Sequence, residues 1–110
     1  MAKVLVIVST SEIDKAVLGV LWATYALREK LVEDVELVFF GPIEEKIAIG
    51  DKKLMRAIEE FRKLGKTPVA CRIVAKTQGY LEMLADKIKV GDVGRMIAEY
   101  INNGYIPLVF

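Results

Sequence analysis

Short runs of β-branched apolar residues alternate with longer helical segments along this chain, and this alternation constrains the fold most strongly. The first run, over residues 3–8, is continuously apolar, which is typical of a parallel strand buried on both faces. We predict four more strands, over residues 35–40, 67–71, 87–90 and 106–110. Because helical segments separate successive strands and no linker or repeat intervenes, we expect a single α/β domain over residues 1–110. Its predicted architecture is a three-layer α/β/α sandwich around a mainly parallel five-stranded sheet.

Composition excludes several classes of function. The chain has 16 basic and 15 acidic residues, a net charge of +1, so it lacks the positive field with which proteins attract nucleic acid or an anionic membrane. Its longest apolar region, residues 16–27, is too short to span a bilayer. The apolar stretch over residues 4–8 is too short for a signal-peptide core, and a single cysteine indicates a reducing compartment. We therefore expect a cytoplasmic protein with no membrane or nucleic-acid partner.

The first predicted helix, from residue 14 to residue 30 or 31, is apolar on more sides than one sheet can cover. Its sheet-facing stripe is predicted to contain the following residues: Val17, Val20, Leu21, Thr24 and Leu27. Leu18, Trp22 and Tyr25 lie largely outside that stripe. A helix that is apolar nearly all round is normally buried on more than one side. We therefore predict a homo-oligomer in which Leu18, Trp22 and Tyr25 contact a neighbouring subunit.

Cys71 is the only cysteine, and it lies where the third predicted strand ends. Extending that strand would bury Arg72 without a partner, so a helical or irregular segment is expected from Arg72 onward. Ligands and reactive groups gather at the carboxyl ends of parallel strands. Arg72, Lys76 one helical turn later and a helix start would all favour a reactive thiolate. Free cysteines are also among the most buried residue types, so a purely packed Cys71 is an equally good interpretation of these residues.

The remaining polar groups offer less chemistry. With no histidine and one cysteine, the chain has neither a zinc-binding constellation nor a Cys-His or Ser-His catalytic arrangement, and no cofactor is expected. Ser9 and Thr10 lie in the loop after the first strand, where a turn-forming role is favoured over phosphate binding because glycines are missing. They would nevertheless line the same crevice as Cys71. Glu44 and Glu45 are predicted to be solvated, and Asp51 and Asp92 to cap helices.

The order of motifs resembles the DsrE/DsrF/TusD-like family of small sulfur-relay proteins over nearly the whole length. The matching features are a Ser/Thr-rich loop after the first strand, an alanine-rich helix, and a Val-Phe-Phe-Gly sequence at residues 38–41. A Gly-x-x-x-Val-x-Cys arrangement is met by Gly65, Val69 and Cys71, with Gly79 eight residues later. A short final strand over residues 106–110 completes the likeness.

The resemblance implies a trimeric or hexameric protein that carries sulfane sulfur on Cys71 as a persulfide. It implies a sulfur carrier or sulfurtransferase without a cofactor, which receives sulfur from one protein and passes it to another. In that mechanism Arg72, with Lys76, would stabilise the anionic forms of Cys71. The residues after Cys71 depart from the small or asparagine-containing sequences associated with the family. The alternative is a non-catalytic oligomeric module, or a small-ligand binder of flavodoxin-like build, in which Cys71 is structural.

Overall fold

The computed structural model describes residues 1–110, and its five strands form one parallel sheet. The strands are β1 (Lys3–Val8), β2 (Asp34–Phe39), β3 (Val69–Cys71), β4 (Lys89–Gly91) and β5 (Tyr105–Val109). Their spatial order is β4-β3-β2-β1-β5, and every neighbouring pair is parallel. The predicted α/β fold with five strands is confirmed, and each strand begins and ends within two residues of its predicted bounds.

Six helices connect and cover the strands. They are α1 (Ile13–Arg28), α2 (Ile43–Ala48), α3 (Lys52–Arg62), α4 (Arg72–Gln78), α5 (Leu81–Ala85) and α6 (Val93–Asn102). Both predicted aspartate caps are present: the Asp51 carboxylate accepts from the N–H of Leu54 at 2.9 Å, and that of Asp92 accepts from the N–H of Arg95 at 3.2 Å. None of the six helices has the length and apolar character that crossing a membrane requires.

Alternating side chains of the strands build two separate apolar layers. Val4, Val6 and Val8 of β1 point into the larger cluster, which α1, α2 and α3 cover. Leu5 and Ile7 point the other way, into a smaller cluster that α6 covers. Because both faces of the sheet are buried, the central strands are apolar at nearly every position. The chain is therefore a three-layer α/β/α sandwich.

Helix α1 differs from its prediction at Leu21 and, in part, at Trp22, which was expected outside the sheet-facing stripe but is partly buried and packs against the larger apolar cluster. Leu21 was expected to face the sheet, but it is 47% exposed. The buried stripe is centred on Val20 and Ala23, and at 100° per residue Leu21 lies roughly 100–160° around the helix from them. Leu18 and Tyr25 lie outside the stripe as predicted, at 59% and 49% exposed.

Candidate functional site at the carboxyl ends of the strands

The loops that follow β1 and β2 come together at the carboxyl edge of the sheet. Gly41 has a φ of +129°, a backbone conformation that side-chain-bearing residues rarely adopt, and a Cβ at this position would lie 2.8 Å from the hydroxyl of Ser9. The Thr10 hydroxyl accepts from the N–H of Glu12 at 3.1 Å, which confirms its turn-forming role. Ser9 therefore lies beside the Gly41 loop, whereas the Thr10 side chain is engaged in its own turn.

Cys71 is the last residue of β3, and α4 begins immediately after it, as the sequence predicted. Its side chain is only 4% exposed and belongs to the smaller apolar cluster. Alternation along β3 explains this placement, because Val69 and Cys71 point toward α6 while Ala70 points into the larger cluster. The structure thus combines the strand-end position of a reactive thiol with the burial of a packed one.

Glu44 is the main residue of this region that the sequence misplaced. It was predicted to be solvated, but it is 0% exposed, whereas the neighbouring Glu45 is exposed as expected. One carboxylate oxygen of Glu44 accepts from the N–H of Gly41 at 2.9 Å. The other, Oε1, is buried and has no hydrogen-bond partner. Such an orphaned buried acceptor is rare in folded proteins and unfavourable.

A local signal for the inward position of Glu44 does exist in the sequence. Helix α2 begins directly after Pro42, and a carboxylate in the first turn of a helix can reach back to a free N–H just before it. Ile43 and Ile47 anchor the same short helix in the larger apolar cluster. The reach back to Gly41 draws Glu44 inward, toward the sheet, instead of outward into water.

Burial raises the pKa of Glu44 to about 7. Hydrogen bonding from the backbone N–H of Gly41, and from the nearby N–H of Cys71, lowers it only partly. No lysine or arginine contributes to this shift. The side chain is therefore a carboxyl that changes charge near neutral pH, beside the only thiol of the chain.

Tyr80, between α4 and α5, completes the group. Burial raises the pKa of its phenol to about 12, and the charges of Glu44, Glu45 and Cys71 add to the effect. The hydroxyl therefore stays protonated and remains a hydrogen-bond donor at neutral pH. Tyr80 also lines a cavity of about 240 Å³, together with Gly41, Pro42, Glu45, Val74 and Gln78.

The two basic residues that follow the cysteine lie at the surface. Arg72 and Lys76 are exposed on α4, and neither forms an ion pair with a carboxylate. Ile73, between them, is also largely exposed. Stabilisation of a Cys71 anion by these cations stays a prediction. No group of three or more His, Cys, Asp or Glu side chains is arranged to hold a metal ion.

Comparison with known proteins supports the fold alone. No protein-family model matches the chain, and no curated protein matches it either. Among solved structures, it is similar to BT1422, a conserved protein of unknown function from Bacteroides thetaiotaomicron. The likeness covers 98% of this chain and 94% of that one, with a TM-score of 0.79 and 22% sequence identity. The shared three-layer architecture therefore extends over essentially the whole domain.

Proposed function

We propose that this chain is a cytoplasmic sulfur carrier, or sulfurtransferase, that holds sulfane sulfur on Cys71 as a persulfide. The main support for this proposal is the position of Cys71 at the carboxyl end of β3, beside Glu44. One carboxylate oxygen of Glu44, Oε1, is fully buried and has no hydrogen-bond partner. The motif order that resembles the sulfur-relay family supports the same chemistry. A purely structural role explains the packed cysteine and the bond from Gly41 to Glu44, but it leaves the second oxygen of Glu44 without a partner.

In the proposed reaction the Cys71 thiolate attacks the terminal sulfur of a donor persulfide. The donor S–S bond breaks, the donor leaves as a thiolate, and Cys71 becomes Cys-S-SH. An acceptor thiolate later takes the sulfur by the same exchange. Because the chain has no second cysteine, no internal thiol can release the sulfur, and discharge requires a partner. Because Cys71 is 4% exposed, exchange requires local opening around its side chain.

Intact mass measurement tests the proposal. After incubation with inorganic polysulfide, the folded protein is expected to gain the mass of sulfur atoms, and dithiothreitol should remove that mass. The Cys71→Ser and Cys71→Ala variants should gain none. A gain that survives both substitutions, or no gain in the wild-type protein under conditions that load a small thiol, contradicts the proposal.

The second candidate is a non-catalytic oligomeric module or small-ligand binder in which Cys71 is structural. The packing of Cys71 with Val69 and Val93 in an apolar cluster favours it. The ligand-binding version is the weaker one, because the cavity of about 240 Å³ is below the 300–1,000 Å³ or so typical of small-molecule sites, and a second cavity of about 370 Å³, also lined by Tyr80, is only at the low end of that range. This candidate predicts that iodoacetamide leaves folded Cys71 unmodified and that the thiol reacts only after global unfolding.

We also propose that the protein is a homo-oligomer through the outer face of α1, as a trimer or hexamer. Leu18 and Tyr25 expose about half of their surface there, and partly buried Trp22 lies between them on the helix. Gly19 of the same helix contacts Phe110, so this flank adjoins the end of edge strand β5. Ile106 and Leu108 of β5 add further exposed apolar surface on that side of the sheet.

Side chains, and not strand pairing, are expected to form this interface. Phe110 donates its N–H to the carbonyl of Ile7 in β1. Backbone groups of successive strand residues point to opposite sides, so Pro107, three residues earlier, has its backbone nitrogen on the free edge of the sheet. Proline has no N–H to donate, which blunts the edge against strand addition. Light scattering at micromolar concentration tests the assembly. A Leu18→Glu, Tyr25→Glu double variant should shift it to monomer, and a monomeric wild-type protein contradicts the proposal.

A further inference from the structure

We propose that Glu44 is the proton acceptor and donor for Cys71, so that the sulfur-exchange site is a Glu–Cys pair and not a lone thiol. The cargo in this inference rests on the proposed function, whereas the proton coupling between the two side chains does not. The unpaired oxygen of Glu44 and its hydrogen bond to the loop beside Cys71 carry the inference, and the groups that surround Glu44 support it.

The fold leaves one oxygen of the Glu44 carboxyl without a hydrogen bond. The hydrogen bond from Gly41 to Glu44 at 2.9 Å uses one oxygen and would hold the loop equally well with a glutamine. Oε1 is buried and makes no hydrogen bond within the chain, although the amide of Cys71 lies near the carboxylate. A buried oxygen that the fold leaves vacant is available to accept a proton or to donate one to a reacting group.

Glu44 is also close enough to act on Cys71. Its carboxylate is near enough to the backbone N–H of Cys71 for that amide to stabilise its charge. Covalent geometry holds a cysteine sulfur within about 3–4 Å of its own backbone nitrogen. No hydrogen bond joins the two side chains, so we place the proton transfer across about one water molecule, in the local opening that exposes Cys71.

The groups that face Glu44 leave it free to titrate. They are Cys71 at the end of β3, Tyr80 from the turn between α4 and α5, and Glu45 on its own helix. None is cationic, and no salt bridge includes Glu44. Burial places the pKa of Glu44 at about 7, so both of its protonation states are populated under physiological conditions. A group with such a pKa is suited to both proton uptake and proton return.

The proton balance of the reaction follows directly. Ionised Glu44 takes the proton of the Cys71 thiol while the sulfur attacks the terminal sulfur of the donor persulfide. As the donor S–S bond breaks, protonated Glu44 returns that proton to the departing donor thiolate. The net change is Cys-SH plus donor-S-SH giving Cys-S-SH plus donor-SH, with no electrons gained or lost. Glu44 ends in the ionisation state in which it began.

The test compares the wild-type protein with Glu44→Gln, which keeps an acceptor for Gly41 but cannot titrate. The rate of Cys71 alkylation by iodoacetamide is measured from pH 5 to pH 10, and circular dichroism checks the fold. The wild-type rate should rise through a step near pH 7 that Glu44→Gln lacks, with at least a 10-fold loss at neutral pH. The matched control is Glu82→Gln, an exposed residue on the neighbouring helix α5, which should follow the wild-type profile.

A Glu44→Gln profile that superimposes on that of the wild-type protein overturns the inference. Should this variant not fold, the ¹³C shifts of the Glu44 carboxyl and the Cys71 Cβ in the wild-type protein decide: a common titration step supports coupling, and independent steps contradict it. Polysulfide loading followed by mass measurement separates the two proposals. If the alkylation step depends on Glu44 but no sulfur is loaded, sulfur carriage fails and the Glu–Cys pair stands.

Discussion

At the amino ends of the strands two carboxylates share a cation, whereas at the carboxyl ends Glu44 has no charged partner. The Lys66 ammonium lies 2.6 Å from Asp34 and 3.3 Å from Glu36, and the Tyr105 hydroxyl donates to the second oxygen of Asp34. All of these side chains are partly buried. The two edges of one sheet therefore hold acidic groups of similar chemistry in opposite ways.

The pKa values of Asp34 and Glu44 differ in the direction that pairing predicts, whereas burial raises the pKa of Glu36 despite its ion pair with Lys66. Burial alone would raise the pKa of Asp34, but the hydrogen bonds from Lys66 and Tyr105 outweigh it, so the pKa is lowered. Burial acts in the same direction on Glu44, and there the backbone amides cannot outweigh it. Asp34 is therefore ionised at neutral pH, whereas Glu44 is only partly ionised. The paired edge stabilises the fold, and the unpaired edge is the one suited to proton transfer.

Glutamine at position 44 should produce the largest change in stability. The pKa of Glu44 is raised in the folded state, so its stabilising contribution is complete below pH 4.5 and is lost as pH rises to about 7. A shift of this size corresponds to about 3 kcal/mol. In urea unfolding, Glu44→Gln should match the wild-type protein near pH 4 and exceed it by about that amount at pH 8.

The same experiment can break the comparison between the two edges. Equal pH dependence of the wild-type and Glu44→Gln proteins would show that Glu44 titrates normally, with water reaching its second oxygen. The Glu82→Gln control should reproduce the wild-type curve, because Glu82 is exposed.

Removal of the shared cation should be the next largest effect. Lys66→Met leaves two partly buried carboxylates without a cation, and we expect a loss of about 2 kcal/mol of unfolding free energy at pH 7. Lys63→Met is the matched control, since the Lys63–Glu60 pair is exposed to solvent and its removal should change the stability far less. Similar losses in both variants would mean that the amino edge owes no special stability to pairing. Urea unfolding measures both.

The fold was predictable because its signals are local. Continuous apolar runs gave the parallel strands, and Asp51 and Asp92 marked helix starts through their reach to N–H groups three residues later. The turn from strand to helix at Arg72 followed from the cost of burying a cation. Each of these inferences depends on residues within one turn or one strand.

Half of the candidate site was not predictable in the same way. Cys71 was placed at its strand end, but the inward position of Glu44 depends on how a six-residue helix lies across the end of the sheet. Glu44 and Glu45 are adjacent and identical, so composition and charge cannot distinguish them. The prediction for Leu21 was wrong for a related reason: the buried face of α1 includes the small residues Ala16, Ala23 and Ala26, and Leu21 lies on the other side of the helix.

Removal of the Tyr105 hydroxyl should give the smallest loss of unfolding free energy. It tests whether the hydrogen bond to Asp34 helps to hold the amino edge of the sheet together. Tyr105→Phe removes the hydrogen bond to Asp34 but keeps the ring, which packs edge-on against Tyr100 at 4.9 Å. We expect a loss of about 1 kcal/mol of unfolding free energy at pH 7.

In the Tyr105→Phe variant Asp34 has one hydrogen-bond donor fewer, so its pKa rises toward the ordinary value. Since a lowered pKa stabilises the fold above pH 3.8 and that contribution is lost on acidification, the variant should unfold at a higher pH in an acid titration. Tyr100→Phe is the control, because the Tyr100 hydroxyl makes no hydrogen bond within the chain; equal losses in the two variants would show that the hydrogen bond to Asp34 contributes no stability of its own.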